Sequence, residues 1–233
     1  MRTGGLQAGE PSPALEVTVT SRRLALLGLA SVGIIVAGMV ITAIPYRGYS
    51  GEAYSPLNHF ISELGEIAAS RLAWVFNLGI VLGGLGLGTF LLLLTRRMSG
   101  PFRLALVVTG LIAGVSGTLV GVFPMDYLAT HRIVSMVFFL SGWIVAGIFT
   151  AWVAAAPRVG FPRWLAAPGA AVVAISLVFI GVYSTYVGTD PAGRIQNRPA
   201  PLWDIPVLEW AALLSLLAWF VCVSLTLLRE PPD

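Results

Sequence analysis

Six apolar runs divide the chain, near residues 24–44, 72–95, 103–122, 131–154, 164–186 and 205–228, with short breaks rich in Pro, Gly and Arg between them. Each is close to the roughly 20 residues an α-helix needs to cross the hydrocarbon core of a bilayer. In that core a peptide group finds no water, so the spanning segment must satisfy its own backbone, as a helix does. The pattern predicts an all-α membrane protein, a six transmembrane helix bundle over residues 21–229. Residues 1–20 are rich in Gly, Pro, Glu and Thr and lack apolar periodicity, which predicts a disordered cytoplasmic tail, and residues 230–233 form a second cytoplasmic tail. Ser21, Arg22 and Arg23 resemble the charged start of a secretion signal, but the run that follows to Ile44 has spanning length and reads as a retained helix.

Composition agrees with this class. Hydrophobic residues make up 57% of the chain and charged residues 11%, whereas a soluble domain carries about a quarter charged residues. The formal net charge of +3 does not point to nucleic acid, because the basic residues, all of them Arg, stand at the ends of apolar runs. Arg2, Arg22, Arg23, Arg96, Arg97, Arg103, Arg158, Arg163 and Arg229 fall on one side of the predicted membrane, and Arg47, Arg71, Arg132, Arg194 and Arg198 on the other. The excess of positive charge predicts that both termini are cytoplasmic in a multi-pass protein of the cell (plasma) membrane. Cys222, the single cysteine, lies in an apolar run and reads as a packing residue.

The remaining polar residues gather on the predicted outer side. Glu52, Glu63, Glu66, Asp126, Asp190, Asp204, Glu209 and both histidines, His59 and His131, fall there. The longest outer connection contains Ser55 and Pro56, a helix-start signature, and predicts a short extracytoplasmic amphipathic helix lying on the membrane surface. His59, Ser62, Glu63 and Glu66 would share its polar face and Phe60, Leu64 and Ile67 its apolar one. His59 and Glu63 at i, i+4 suit a divalent metal such as zinc, an acid and base pair, or a plain salt bridge. Asp126 reads as the N-cap of helix four, with His131 one turn into that helix and Ser135 one turn deeper on the same face. Serine and histidine at that spacing suit nucleophilic catalysis or structural hydrogen bonding, and no oxyanion-hole element can be read beside them. Asp204 reads as the N-cap of helix six, and Glu209 lies deep enough to need a partner: Arg132, Arg194, Arg198, a metal, or water at the interface. Tyr183 and Tyr186, with Arg194 and Arg198, suit an anionic headgroup or interface anchoring.

Glycines four apart, at Gly79 and Gly83, Gly84 and Gly88, Gly110 and Gly114, and Gly117 and Gly121, predict close approach of helices two and three. Trp74, Trp152, Trp164 and Trp203 near helix ends read as interfacial indoles.

Three stretches carry a family likeness: Asn58-His-Phe-Ile-Ser-Glu-Leu-Gly65, Phe76-Asn-Leu-Gly79, and Gly121-Val-Phe-Pro124 leading to His131. Their ordered combination, over roughly residues 24 to 228, resembles domain-of-unknown-function family 998, six-span membrane proteins of bacteria and archaea. Glu63 stands where the family pattern has Asp, which keeps the carboxylate with a longer reach. The resemblance implies six spans and selects Asn58, Ser62, Glu63 and His131 as residues of interest. A more distant likeness to Frag1 and Sfk1 type membrane proteins implies an association with lipids and lipid anchors by analogy of fold.

Three functions follow as expectations. An accessory or lipid-handling protein would use an outward-facing polar site for a lipid headgroup or a metal, with Asn58, Ser62, Arg132, Arg194 and Arg198 toward the headgroup and His59, Glu63 and His131 toward the metal. A metal-dependent membrane hydrolase or transferase would use His59, Glu63, His131 and Glu209 for catalysis. A small-solute or ion transporter or channel would line a wet path with Asn77 and Glu209. Membrane lipids are the expected partners, with other membrane proteins in the accessory reading, and nucleic acid is not.

Overall fold

A computed structural model describes residues 20–155, 160–186 and 201–230. Among these the chain is all helical, with six helices long and apolar enough to cross a membrane. They are α1 (Ser21–Ala43), α2 (Ala73–Leu94), α3 (Gly100–Val122), α4 (Leu128–Ala155), α5 (Ala166–Tyr186) and α6 (Asp204–Leu228). Short 3₁₀ turns precede α4 and α5 at Met125–Tyr127 and Arg163–Leu165, and another, Thr95–Arg97, continues α2. The predicted N-terminal tail, apart from Thr20, lies outside the described residues, as do Arg158, Asp190, Arg194 and Arg198.

The helices form a closed ring. Each packs on its neighbours in sequence, and α6 returns to pack on α1 as well as α5. Consecutive spans joined by short connections must run antiparallel, and the ring lets each bury one stripe while its lipid-facing stripe stays apolar, as with the exposed Leu85, Leu104, Ile133 and Val178. Glycine governs the α2–α3 seam as its spacing predicts. A Cβ on Gly114 would lie 2.7 Å from the Cα of Gly88, and one on Gly84 would lie 2.8 Å from the backbone nitrogen of Thr118. These backbones are nearly in contact, a distance only hydrogen side chains permit.

At the end of the ring that carries the termini, Arg97 donates to both carboxylate oxygens of Glu230 at 2.9 and 2.7 Å, and Ser21 Oγ donates to the same carboxylate at 2.5 Å. This cluster ties the start of α1 to the ends of α2 and α6. The opposite end is closed by residues 44–72, the connection between α1 and α2.

That connection differs from the surface helix its sequence predicts. The chain makes one turn, with His59 N–H donating to Ser55 O at 2.9 Å, then extends at Phe60 and re-enters a 3₁₀ turn at Ile61–Gly65. The break at Phe60 has a cause: its N–H donates to Glu63 Oε1 at 2.8 Å, not to a carbonyl of the preceding turn. Ile61 and Leu64 are buried, but so are His59, Glu63 and Glu66, so the segment has no wet polar face. It is a plug in the mouth of the ring. Two of the four tryptophans expected at interfaces are exposed, Trp74 and Trp164, whereas Trp152 and Trp203 are core residues. Trp152 packs against the rings of Phe149 and Phe161, and Trp203 against Phe60.

Candidate functional site: a polar plug over an apolar cavity

A cavity lies inside the ring beneath the plug, with about 880 Å³ of space between atoms, its open mouths included. Helices α1, α2, α3, α4 and α6 and the plug contribute to its wall, which is almost entirely aliphatic and aromatic. Its polar lining is confined to Ser62 of the plug, Ser135 of α4 and Glu209 of α6. All three belong to the plugged end, since Ser135 lies two turns into α4 and Glu209 little more than one turn into α6.

Tertiary hydrogen bonds hold the plug. Glu209 Oε2 accepts the backbone N–H of Ile61 at 2.8 Å, and Asp126 Oδ2 accepts that of Ile67 at 2.9 Å. Asn77 Nδ2 donates to Gly65 O at 2.9 Å, and Trp203 N–H donates to Leu57 O at 2.8 Å. Residues from α2, the α3–α4 turn and α6 thus complete the backbone hydrogen bonds of a segment with little regular structure of its own, as burial requires. Asp126 therefore serves the plug instead of capping α4, and Asp204 is the first residue of α6, after an N-cap at Trp203, with its carboxylate accepting from Ile205 N–H at 2.9 Å and Tyr186 OH at 3.3 Å.

The expected site residues fall into two groups. In the first, His59 sits 1% exposed between Tyr46 and Tyr54, with ring centroids 5.5 and 5.2 Å away. Its Nδ1 is 2.8 Å from Asn58 Oδ1, and the carboxylate beside its Nε2 is Glu52, at 3.6 Å. Glu63, fully buried, accepts from Tyr46 OH at 3.2 Å and from Phe60 N–H. Tyr54 OH donates to Phe60 O at 2.9 Å and accepts from Trp210 Nε1 at 3.1 Å. Tyr49 OH donates to Glu66. Burial first, then the charge of Glu209, raises the Tyr54 phenol above the ordinary tyrosine range; burial first, then the Glu66 hydrogen bond, raises that of Tyr49.

In the second group, His131 Nδ1 is 2.7 Å from Phe123 O, and its Nε2 is 3.2 Å from Ser135 Oγ. Ser62 Oγ donates to Met125 Sδ at 3.0 Å, linking the plug to the turn before α4. Glu209 is 8% exposed, and among the described residues no Arg lies within ion-pair distance of it. Arg132 is partly buried one residue beyond His131, near the Tyr183 phenol of α5.

A metal requires converging ligands. Among the described residues no three His, Cys, Asp or Glu side chains converge to hold one. The two ring nitrogens of His131 face the Phe123 carbonyl and the Ser135 hydroxyl, and Glu52 is a carboxylate beside His59.

Tyr46, Tyr54, Ile61, Met125 and Trp210 were not legible as site residues. The sequence signal of Tyr46, Tyr54 and Trp210, an aromatic residue near a helix end, matches that of ordinary interface anchors, and Ile61 and Met125 carry no signal beyond being apolar in a mostly apolar chain.

Residues 34–226 match the family model described as "Protein of unknown function (DUF998)". No curated protein and no solved structure matches the chain. The motifs of the family likeness now have positions: the first is the plug, the second is the α2 segment that holds it through Asn77, and the third is the turn whose Phe123 carbonyl receives His131. With its model matching most of the length, this six-helix membrane protein belongs to the DUF998 family.

Proposed function

We propose that this protein handles lipids, taking one hydrocarbon chain of a bilayer lipid into the central cavity and keeping the headgroup under the plug on the outer side of the plasma membrane. The observation that carries this reading is the distribution of polarity in the cavity wall: aliphatic and aromatic along its length, with Ser62, Ser135 and Glu209 at one end. A single-chain amphiphile has the same distribution. Arg132, near Tyr183 at the plugged end, supplies positive charge for a headgroup, and Asn58 and Ser62 supply neutral polar contacts. The Arg excess at the end bearing Arg22, Arg23, Arg96, Arg97, Arg103, Arg163 and Arg229 supports a cytoplasmic location for that end.

A transporter for small polar solutes fits less well. Asn77 is committed to Gly65 O and does not line the cavity, and an apolar wall offers a hydrated solute no replacement for its water. The experiment is native mass spectrometry of protein extracted gently from membranes. Wild type should carry a lipid adduct, and Val120→Trp, which fills part of the cavity, should reduce its occupancy at least about fivefold while leaving the protein monodisperse. Equal occupancy in both, or no adduct on wild type, would refute the reading.

A further inference from the structure

We propose that Ser135 and His131 act as nucleophile and general base on the carboxylic ester of a lipid whose acyl chain occupies the cavity, an inference that rests on the lipid-handling reading above.

The first observation is where the Ser135 hydroxyl goes. Several helical serines and threonines elsewhere in the bundle turn back to a carbonyl one turn earlier: Ser31 to Leu27 at 2.7 Å, Thr109 to Ala105 at 2.7 Å, Ser116 to Ile112 at 2.6 Å and Ser141 to Val137 at 2.7 Å. That is the default for a hydroxyl without water. Ser135 departs from it and faces the imidazole of His131 at 3.2 Å.

The second observation sets the tautomer. A carbonyl oxygen only accepts, so the 2.7 Å contact of Nδ1 with Phe123 O requires the proton on Nδ1. In the neutral ring Nε2 then carries the lone pair and accepts the Ser135 O–H. This is the relationship of nucleophile, base and orienting group found in serine hydrolases, with a backbone carbonyl orienting the ring.

The third is access. Ser135 lines the cavity while His131 behind it is 6% exposed, so a chain in the cavity would bring its ester to the serine and keep bulk water from the imidazole. Ser62 lines the same cavity, and its hydroxyl is held only by the thioether of Met125, a weak acceptor that a developing oxyanion would displace.

The chemistry balances with the ester and one water. Ser135 Oγ bonds to the ester carbon as its proton passes to His131 Nε2, and the carbonyl electron pair moves onto oxygen. Collapse re-forms the carbonyl and breaks the bond to the alcohol oxygen, which takes the proton from Nε2 and leaves as the free alcohol. Water then adds to acyl-Ser135, giving its proton to Nε2. Collapse returns that proton to Ser135 Oγ and releases the fatty acid.

The test uses the full chain in lipid nanodiscs and a long-chain alkyl fluorophosphonate, with peptide mapping by mass spectrometry. The expected result is one adduct on Ser135, absent in Ser135→Ala, formed at least about a hundredfold more slowly in His131→Gln and about tenfold or more slowly in Ser62→Ala. Wild type that retains its lipid adduct but leaves Ser135 unmodified at saturating probe would overturn the esterase proposal and leave lipid handling standing. Loss of both signals would overturn both. Undiminished labelling in a monodisperse His131→Gln protein would remove histidine from the chemistry. If a variant fails to fold, the site of modification on wild type decides by itself.

Discussion

The carboxylate of Glu209, one turn into α6, accepts the backbone N–H of Ile61 at 2.8 Å and so latches the α1–α2 connection onto the last helix of the bundle. The contact joins residues 148 positions apart and places a buried acid where the plug meets the cavity. Replacing Glu209 by Ala leaves a buried N–H without an acceptor, at a cost of about 1–3 kcal/mol. Replacing it by Gln keeps an acceptor of the same reach. In detergent, Glu209→Ala should therefore unfold at a clearly lower temperature than wild type, with Glu209→Gln between them. Equal melting temperatures for Ala and wild type would show that the latch does not stabilise the fold.

The α2–α3 seam allows no side chain at its tightest point. A methyl on Gly114 would meet the Gly88 Cα at 2.7 Å, and backbone cannot move aside as a flexible side chain can. Gly114→Ala should cost about 1–3 kcal/mol, seen as a lower melting temperature and early aggregation on size-exclusion chromatography. Gly33, which has open space around it, is the control, and Gly33→Ala should behave as wild type.

Tyr49 and Tyr54 favour the neutral phenol in the folded state, because burial and the neighbouring acids oppose phenolate. Their folded-state pKa values lie above the ordinary 10.0, so their stabilising contribution is complete below that pH and is lost as pH rises toward the folded-state values. Melting temperature should fall above about pH 10, less steeply in Tyr54→Phe. Ultraviolet titration should show these two phenols ionising above the ordinary tyrosine range. Ionisation of both phenols within the ordinary tyrosine range, while the protein is still folded, would contradict the burial argument.

Sidedness can be read by cysteine labelling in a Cys222→Ser background. Ile67 is exposed at the plugged end and Ser99 at the other. A membrane-impermeant maleimide should label Ile67→Cys on intact cells and Ser99→Cys only after permeabilisation. The reverse pattern would place the plug in the cytoplasm.

The spans were legible because the bilayer imposes a local rule. About 20 apolar residues in succession must be helical, whatever the rest of the chain does. The connection at 44–72 was not, because i, i+4 spacing at His59 and Glu63 satisfies the helical pattern equally well whether the segment lies on a surface or inserts into a bundle. Asp126 and Glu209 decide the matter by accepting the N–H groups of Ile67 and Ile61, and neither is near in sequence.

The sequence by itself determined the class, the number of crossings, the close approach of α2 and α3, and the concentration of acids and histidines at one end. Each depends on the composition or spacing of a single segment. Tertiary structure alone decided that His59 and Glu63 are buried beneath aromatic rings, that Ser135 faces His131 at the wall of a cavity, and that Glu209 meets a backbone amide and not an arginine. Those outcomes depend on which side of each helix faces inward once the ring closes, and on where the plug settles. That is a property of the whole packed chain.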